Sequence, residues 1–300
     1  MKVKFDLKSA LMLFAGAILW GLSFVFQSKG LVYVSTFVFS FLRSILGFLF
    51  SFMLAAILPD DGKKERTKDE TLKGGLCAGL ILFFAMNLQQ LGLSYTIAGK
   101  AGFITALYIV MVPILGLFLG KRVEPKVWLC LLISLFGFYL ISIKGKVDIE
   151  KGDLIVFSSS ILFAVHILVL SRFSPNANGI KLNGIQFLVA GVLSGIVALA
   201  TETIDISAIM DTKWSVLYVG IFSSGLAFAL QILGLKKMDP TLGTMISSLE
   251  SVVALIGGVI ILKESLSSQE ALGCAFVFIS TIIAQIPIEE ILYKRKERTA

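Results

Sequence analysis

The sequence predicts an all-α integral membrane protein, with ten transmembrane helices arranged as two inverted repeats of five. Three observations carry that prediction. Of 300 residues, 56% are hydrophobic and 16% charged, and the mean hydropathy of +0.90 is far above that of a water-soluble domain of this length. The apolar residues also fall into ten runs, each near the roughly 20 residues an α-helix needs to cross about 30 Å of hydrocarbon. Finally, the second half of the chain repeats the first, weakly, at an offset of 142 residues.

The runs lie at 9–28, 34–58, 72–93, 97–120, 125–143, 152–171, 183–202, 213–235, 240–262 and 267–287, separated by charged, Gly-containing or Pro-containing breaks. The N-terminal MKVKFDLK precedes an apolar stretch that continues to Gln27 without a small-residue cleavage site, so it reads as a first span and not as a signal peptide. With the N-terminus in the cytoplasm, 19 basic residues fall in inside connections and 7 outside, leaving Arg43 within the second span. That asymmetry places both termini in the cytoplasm and the protein in a cell membrane, the inner membrane if the source is bacterial. The net charge of +7 is thereby accounted for by orientation, and nucleic acid is not an expected partner. Cys77, Cys130 and Cys274 each sit inside an apolar run; their odd number and wide spacing support neither disulfides nor a metal site, and they read as packing residues. No cofactor motif is present.

The repeat is clearest where LQQLGLSYTIAGKAGFITALYIV, from Leu88, aligns with LQILGLKKMDPTLGTMISSLESV, from Leu230. Gln89 falls on Gln231, Leu107 on Leu249 and Tyr108 on Glu250. Each half, 1–146 and 147–300, holds five spans. Five is odd, so the second half enters the membrane in the opposite orientation. Such inverted repeats are typical of secondary transporters, whose site lies near the midplane between the halves.

Polar residues inside spans are costly and therefore informative. Glu250 is the only carboxylate near the centre of a predicted span, where an ionised side chain costs at least roughly 2.5 to 3.5 kcal/mol on insertion scales. A cost of that size calls for a partner or for neutralisation, and a carboxyl group that exchanges a proton in a cavity suits proton coupling or ammonium binding; the plainer alternative is helix packing. Tyr108, its equivalent, would lie close to the axis relating the halves. Asn87, Gln89 and Gln90 in span three and Gln231 in span eight either bind substrate or satisfy one another across helices. Arg43 needs an acid, carbonyls or a substrate carboxylate, and its equivalent in the second half is Gln186. His166, the single histidine, lies midway along span six, with Trp20 and Ser23 at the corresponding depth of span one; it reads as a packing residue or a proton relay. Gly243, Ser247 and Ser251, like Gly102 and Ala106, recur every fourth residue and allow close helix approach, while Gly99, Gly102, Asp239 and Pro240 mark the entrances to spans four and nine as candidate hinges.

Four stretches together carry a resemblance: AGAILWGLSFVF (Ala15 to Phe26), FSFLRSILGF (Phe39 to Phe48), AGKAGFITALYIVMVPILGLFLGKRV (Ala98 to Val123) and SSLESVVALIGGVIILKESLS (Ser247 to Ser267). In order and spacing they resemble the EamA family of the drug/metabolite transporter superfamily over essentially the whole chain. The chain departs from the family pattern in having Ser251 after Glu250 and Arg122 at the end of span four. The resemblance implies a ten-helix bundle of two inverted repeats and a carrier of amino acids, sugars, nucleotide-like metabolites or drugs. The expectation is a secondary transporter working by alternating access on a small polar metabolite, an amino acid or related compound, with export as its direction, and with the membrane lipid and protons as its other partners. Tyr108, Glu250, Asn87, Gln90, Gln231, Trp20, His166 and Arg43 are the candidate substrate-binding residues. The runner-up, a membrane enzyme acting on lipid, lacks a paired acid, a nucleophile with a base or a metal cluster. No ATP-binding motif is present.

Overall fold

A computed structural model describes residues 6–58, 68–96, 98–120, 123–142, 150–261 and 267–286, and every regular element among them is helical. The first half contains α1 (Leu7–Gly30), α2 (Thr36–Ile57), α3 (Lys68–Leu93), a rod made of α4 (Ala98–Ala106) and α5 (Tyr108–Phe118), and α6 (Pro125–Ser142). The second contains α7 (Lys151–Phe173), α8 (Gly179–Thr201), the short α9 (Ile206–Asp211), a rod of α10 (Lys213–Leu217), a π-helical segment (Tyr218–Ala227) and α11 (Phe228–Leu235), a rod of α12 (Pro240–Ser247) and α13 (Glu250–Ile261), and α14 (Ser268–Gln285). Most of the basic connections that set the expected orientation (59–67, 121–122, 143–149 and 262–266), together with 1–5 and 287–300, lie outside the described residues.

Helix starts follow local chemistry. The Asp6 carboxylate accepts from Ser9 N at 3.1 Å, Asn178 Oδ1 from Lys181 N at 3.1 Å and Asp239 from Thr241 N at 2.8 Å, each satisfying a backbone donor that a helix N-terminus leaves without a partner. Ser267 and Glu270 form a reciprocal capping box at α14, as Glu150 and Asp153 do at α7. One cap arrives from the other half: the Glu202 carboxylate accepts from Phe37 N and Val38 N at 3.1 and 2.8 Å, fastening the start of α2 to the end of α8. Gly120, with φ 75°, ends α5 in a conformation that a side chain would strain.

By length and composition, nine helices or rods among the described residues can cross a membrane. The expected tenth, α6, carries a shorter apolar stretch, Pro125–Leu140, ending close to the limit of the described residues. It packs along α14, with Ser134 and Ser280 hydroxyls 2.6 Å apart and Phe136 edge-on to Phe276. The outward surface is strongly apolar, with Phe118 85% and Leu199 75% exposed among many others. Water does not tolerate so large an apolar exterior, whereas lipid does. Cys130 is buried as expected, but Cys77 faces outward and is not a packing residue.

The helix boundaries recur. α4 begins at Ala98 and α12 at Pro240, α5 at Tyr108 and α13 at Glu250, and α3 ends at Leu93 as α11 ends at Leu235, all 142 residues apart. Packing partners recur as well. α2 lies on α8, α6 on α14, and the α4–α5 rod on the α12–α13 rod, with α4 against α13 and α5 against α12, so these two rods run antiparallel. α1 packs on α11 and α13 much as α7 packs on α3 and the α4–α5 rod.

Both rods break at the same place. Leu107, just before Tyr108, has φ −61° and ψ −12°, and Ser248, shortly before Glu250, has φ −64° and ψ −13°. Around these residues the ladder tightens to i→i+3 bonds, including Leu107 N to Ile104 O and Leu249 N to Ile246 O, both 3.2 Å, a 3₁₀ turn of the kind found at functional hinges. No glycine or proline stands at either break, which lies inside the rod and away from Gly99, Gly102, Asp239 and Pro240 at or near the rod entrances. Ser248 and Ser251 instead donate back to the carbonyls of Met245 and Ser248 at 2.9 and 2.7 Å. In α5, Pro113 has no N–H to return to the Ile109 carbonyl, which loosens the same region.

α1 reaches the second break through Gly21. A Cβ there would lie 2.6 Å from the Glu250 carbonyl oxygen and 2.5 Å from Val253 Cβ, so backbone meets backbone at this crossing. Gly21→Leu is therefore expected to destabilise the fold by about 1 to 3 kcal/mol through overpacking, read as a lowered thermal midpoint in detergent. An unchanged midpoint would show that α1 and α13 separate at no cost.

Candidate functional site

Between the halves lies a small cavity. α1 contributes Trp20, Ser23 and Gln27, α2 Arg43, and α3 Gln89. Tyr108 and Glu250 enter where the two broken rods meet, His166 and Phe163 come from α7, and the rod ending in α11 supplies Ser223, Phe228 and Gln231. Both breaks therefore open onto the cavity, because a 3₁₀ turn rotates the following residue relative to a regular helix and turns Tyr108 and Glu250 to the wall.

The aromatic part of the wall is built around Phe228, whose ring lies edge-on to Trp20 at 4.9 Å, to Phe187 at 5.1 Å and to His166 at 5.9 Å. The polar part divides into a satisfied set and an unsatisfied one. Arg43, 2% exposed, donates from Nη1 to Gln27 Oε1 at 2.6 Å and from Nε to Ser224 Oγ at 3.3 Å, and Gln27 Nε2 donates to Ser23 Oγ at 2.8 Å. This chain ties α2 to α1. No carboxylate among the described residues pairs with the guanidinium, and the charged pairs found, Lys73–Asp69, Lys100–Asp153 and Lys126–Glu124, are elsewhere. Gln89 Nε2 donates to Thr105 Oγ1 at 3.0 Å.

The unsatisfied set is Trp20 Nε1, Tyr108 Oη, His166 Nδ1, Gln231 Oε1 and Glu250 Oε1, all buried and none with a hydrogen-bond partner in the protein. Tyr108 and Glu250 are close enough to interact electrostatically, yet their geometry does not make a hydrogen bond. Buried polar atoms are nearly always paired, and leaving one unpaired costs about 1 to 3 kcal/mol. Five such atoms stand in the wall of one cavity.

Six of the eight residues singled out from the sequence, Trp20, Arg43, Tyr108, His166, Gln231 and Glu250, line this cavity. Asn87 and Gln90 do not. Asn87 Nδ2 donates to Phe83 O at 2.7 Å and across to Ser194 Oγ of α8 at 2.9 Å, so it fastens two helices, and Gln90 is fully buried away from the wall. Their neighbour Gln89 takes the cavity position. Gln27, Thr105, Ser223 and Phe228 were not anticipated. A polar residue four positions after Ser23, on the same helix face, was the available signal for Gln27; nothing in the sequence distinguished Phe228 among 24 phenylalanines. No cluster able to hold a metal ion occurs among the described residues.

The model of the EamA-like transporter family matches twice, over residues 7–143 and 150–285, nearly the whole chain. The chain belongs to the EamA-like transporter family. An uncharacterized transporter of Archaeoglobus fulgidus is 28% identical over 276 residues, spanning 91% of this chain and 84% of that one. The uncharacterized transporter YoaV of Bacillus subtilis is 21% identical over 275 residues, spanning 88% and 93%. One solved structure, 19% identical, superposes with a TM-score of 0.77 over 93% of this chain and 98% of its own, a likeness of fold. Membership in the EamA-like family makes the chain an integral membrane transporter.

Proposed function

We propose that the protein is a secondary transporter that carries a small polar metabolite, an amino acid or related compound, across the cell membrane by alternating access, in the direction of export and coupled to protons. The observation that carries this reading is the set of five unpartnered polar atoms in a buried cavity whose wall also holds a guanidinium and a carboxyl group not paired with each other. Opposite charges on one wall complement a zwitterion: Arg43 suits the substrate carboxylate, through a fork that retains donors beyond those given to Gln27 and Ser224, and Glu250 suits the ammonium. Glu250 is also the group that would exchange a proton with the pathway.

Two five-helix halves, 1–146 and 147–300, inverted relative to one another, are the frame for this mechanism. The recurrence of helix boundaries at 142 residues, the antiparallel rods and the doubled match to the family model support it. Rocking of one half on the other would flex the α4–α5 and α12–α13 rods at their 3₁₀ turns, and the cavity would open first to one side and then to the other. Arg43 to Gln27 and His166 to Gln186 then act as matching ties within each half.

Proteoliposomes loaded with a panel of amino acids, with and without an imposed pH gradient, test the reading. Counterflow of at least one amino acid, accelerated by the gradient, is expected; failure to exchange any of the panel refutes the substrate class. Cysteine labels at Lys64 and Arg298 should report the cytoplasm and a label at Lys146 the opposite side. Labels at 64 and 146 on one side would end the inverted arrangement.

A further inference from the structure

A chain of hydrogen bonds decides which way the single imidazole presents its lone pair. Asn183 Nδ2 lies 3.2 Å from Ser224 O and 2.9 Å from Gly225 O, carbonyls of the π-helical segment, and 2.8 Å from Ser51 Oγ. Backbone carbonyls only accept, so this corner of Asn183 is its NH₂ and the other is its oxygen. The partner of Asn183 Oδ1, at 2.8 Å, is therefore the Gln186 NH₂. Gln186 Oε1 is in turn an acceptor, and His166 Nε2, 2.9 Å away, must carry a proton to reach it. In the neutral ring, Nδ1 is then a bare acceptor. It has no partner in the protein, and the ring, fully buried, stands in the cavity wall.

The π-helix makes this possible. Its wide i→i+5 bonding, seen where Phe228 N reaches Ser223 O, frees adjacent carbonyls to accept from a side chain, and such segments gather at functional sites. Two other unpartnered atoms of the wall, Gln231 Oε1 and Glu250 Oε1, can likewise accept, Trp20 Nε1 is the one obligate donor among the five, and the rings of Trp20 and Phe228 line the same cavity. A carboxylate brought to Nδ1 would face a lone pair. An ammonium group brings three N–H donors and a charge that both the carboxyl group and the aromatic rings favour.

We infer that Asn183 and Gln186 hold His166 as the Nε2–H tautomer, and that its Nδ1, with Gln231 and Glu250, accepts the ammonium group of the transported molecule. Asn183 and Gln186 lie outside the cavity wall and act as positioning residues. The inference rests on the transport reading for its ligand and goes beyond it in assigning which end of that ligand meets α7.

Because the chain contains one histidine, ¹⁵N-histidine labelling of the full, untagged protein in nanodiscs gives a single pair of imidazole signals. We expect Nε2 to be proton-bearing and Nδ1 bare, and propylammonium, titrated to saturation, to shift the Nδ1 signal toward that of a hydrogen-bonded nitrogen, while propionate leaves it in place. In Gln186→Ala the affinity for propylammonium read from this shift should fall about tenfold, the scale of one hydrogen bond to a charged group. A proton on Nδ1 in the wild-type protein, an Nδ1 signal indifferent to propylammonium, or unchanged affinity in a folded Gln186→Ala would overturn the inference. The Nδ1 signal is read without transport, so absence of amino-acid exchange in proteoliposomes would refute the transport reading separately.

Discussion

Glu250→Gln is expected to insert and fold normally, to abolish uphill transport driven by a pH gradient, and to leave downhill exchange of substrate running with a raised KM. The replacement keeps the size of the side chain and an oxygen for the cavity, and the Tyr108 hydroxyl keeps its neighbour; what it removes is the exchangeable proton and the negative charge. If the carboxylate serves as an ammonium contact alone, uphill and downhill modes should weaken together with the response to the gradient preserved, through a KM raised about tenfold to a hundredfold, the worth of a hydrogen bond to a charged group. Parallel measurement of pH-driven uptake and counterflow in proteoliposomes separates the two. A variant with wild-type rate, affinity and pH dependence would leave Glu250 as a packing residue at the second rod break.

Arg43→Lys should raise the KM for substrates that carry a carboxylate by about tenfold to a hundredfold, through the loss of a charge-assisted contact, and leave the corresponding amino-acid amides nearly unaffected. An ammonium group keeps the charge but cannot reproduce a planar fork that already reaches Gln27 Oε1 and Ser224 Oγ while offering further donors to the cavity. The comparison of acid with amide is the informative one. Equal losses for both would mean that the guanidinium serves only to tie α1, α2 and the π-helical segment together, since its two hydrogen bonds bridge those elements.

The helical architecture and the equivalence of particular residues were legible before any coordinates. Spans eight and nine, expected at 213–235 and 240–262, appear as rods over Lys213–Leu235 and Pro240–Ile261. The alignment made Tyr108 and Glu250 equivalent, and the structure places each at the start of the second segment of a broken rod, a break the sequence did not reveal. Which side chains meet was harder to see. Asn87, Gln89 and Gln90 are adjacent in sequence, but about 100° separates successive residues on a helix, so choosing which one faces a cavity requires the rotation of α3. In a soluble helix the polar face reports that rotation; here lipid and core are both apolar, and the pattern carries little information about it. The 3₁₀ turns at Leu107 and Ser248 carry no Pro or Gly of their own, and the glycines of the π-helix at Tyr218–Ala227, Gly220 and Gly225, do not set it apart from the many glycines in ordinary helices of this chain.

What the sequence by itself determined was the solvent of this protein, the approximate limits of its apolar helices, and the short roster of polar residues too costly to bury without reason. Those properties follow from composition and from spacing along one chain. The tertiary structure decided that Arg43 would bond Gln27 and not Glu250, that Gln89 and not Gln90 would reach the cavity, and that two amides would orient His166. Each of these depends on contacts between residues far apart in sequence, where a rotation of one helix by a single residue exchanges one partner for another.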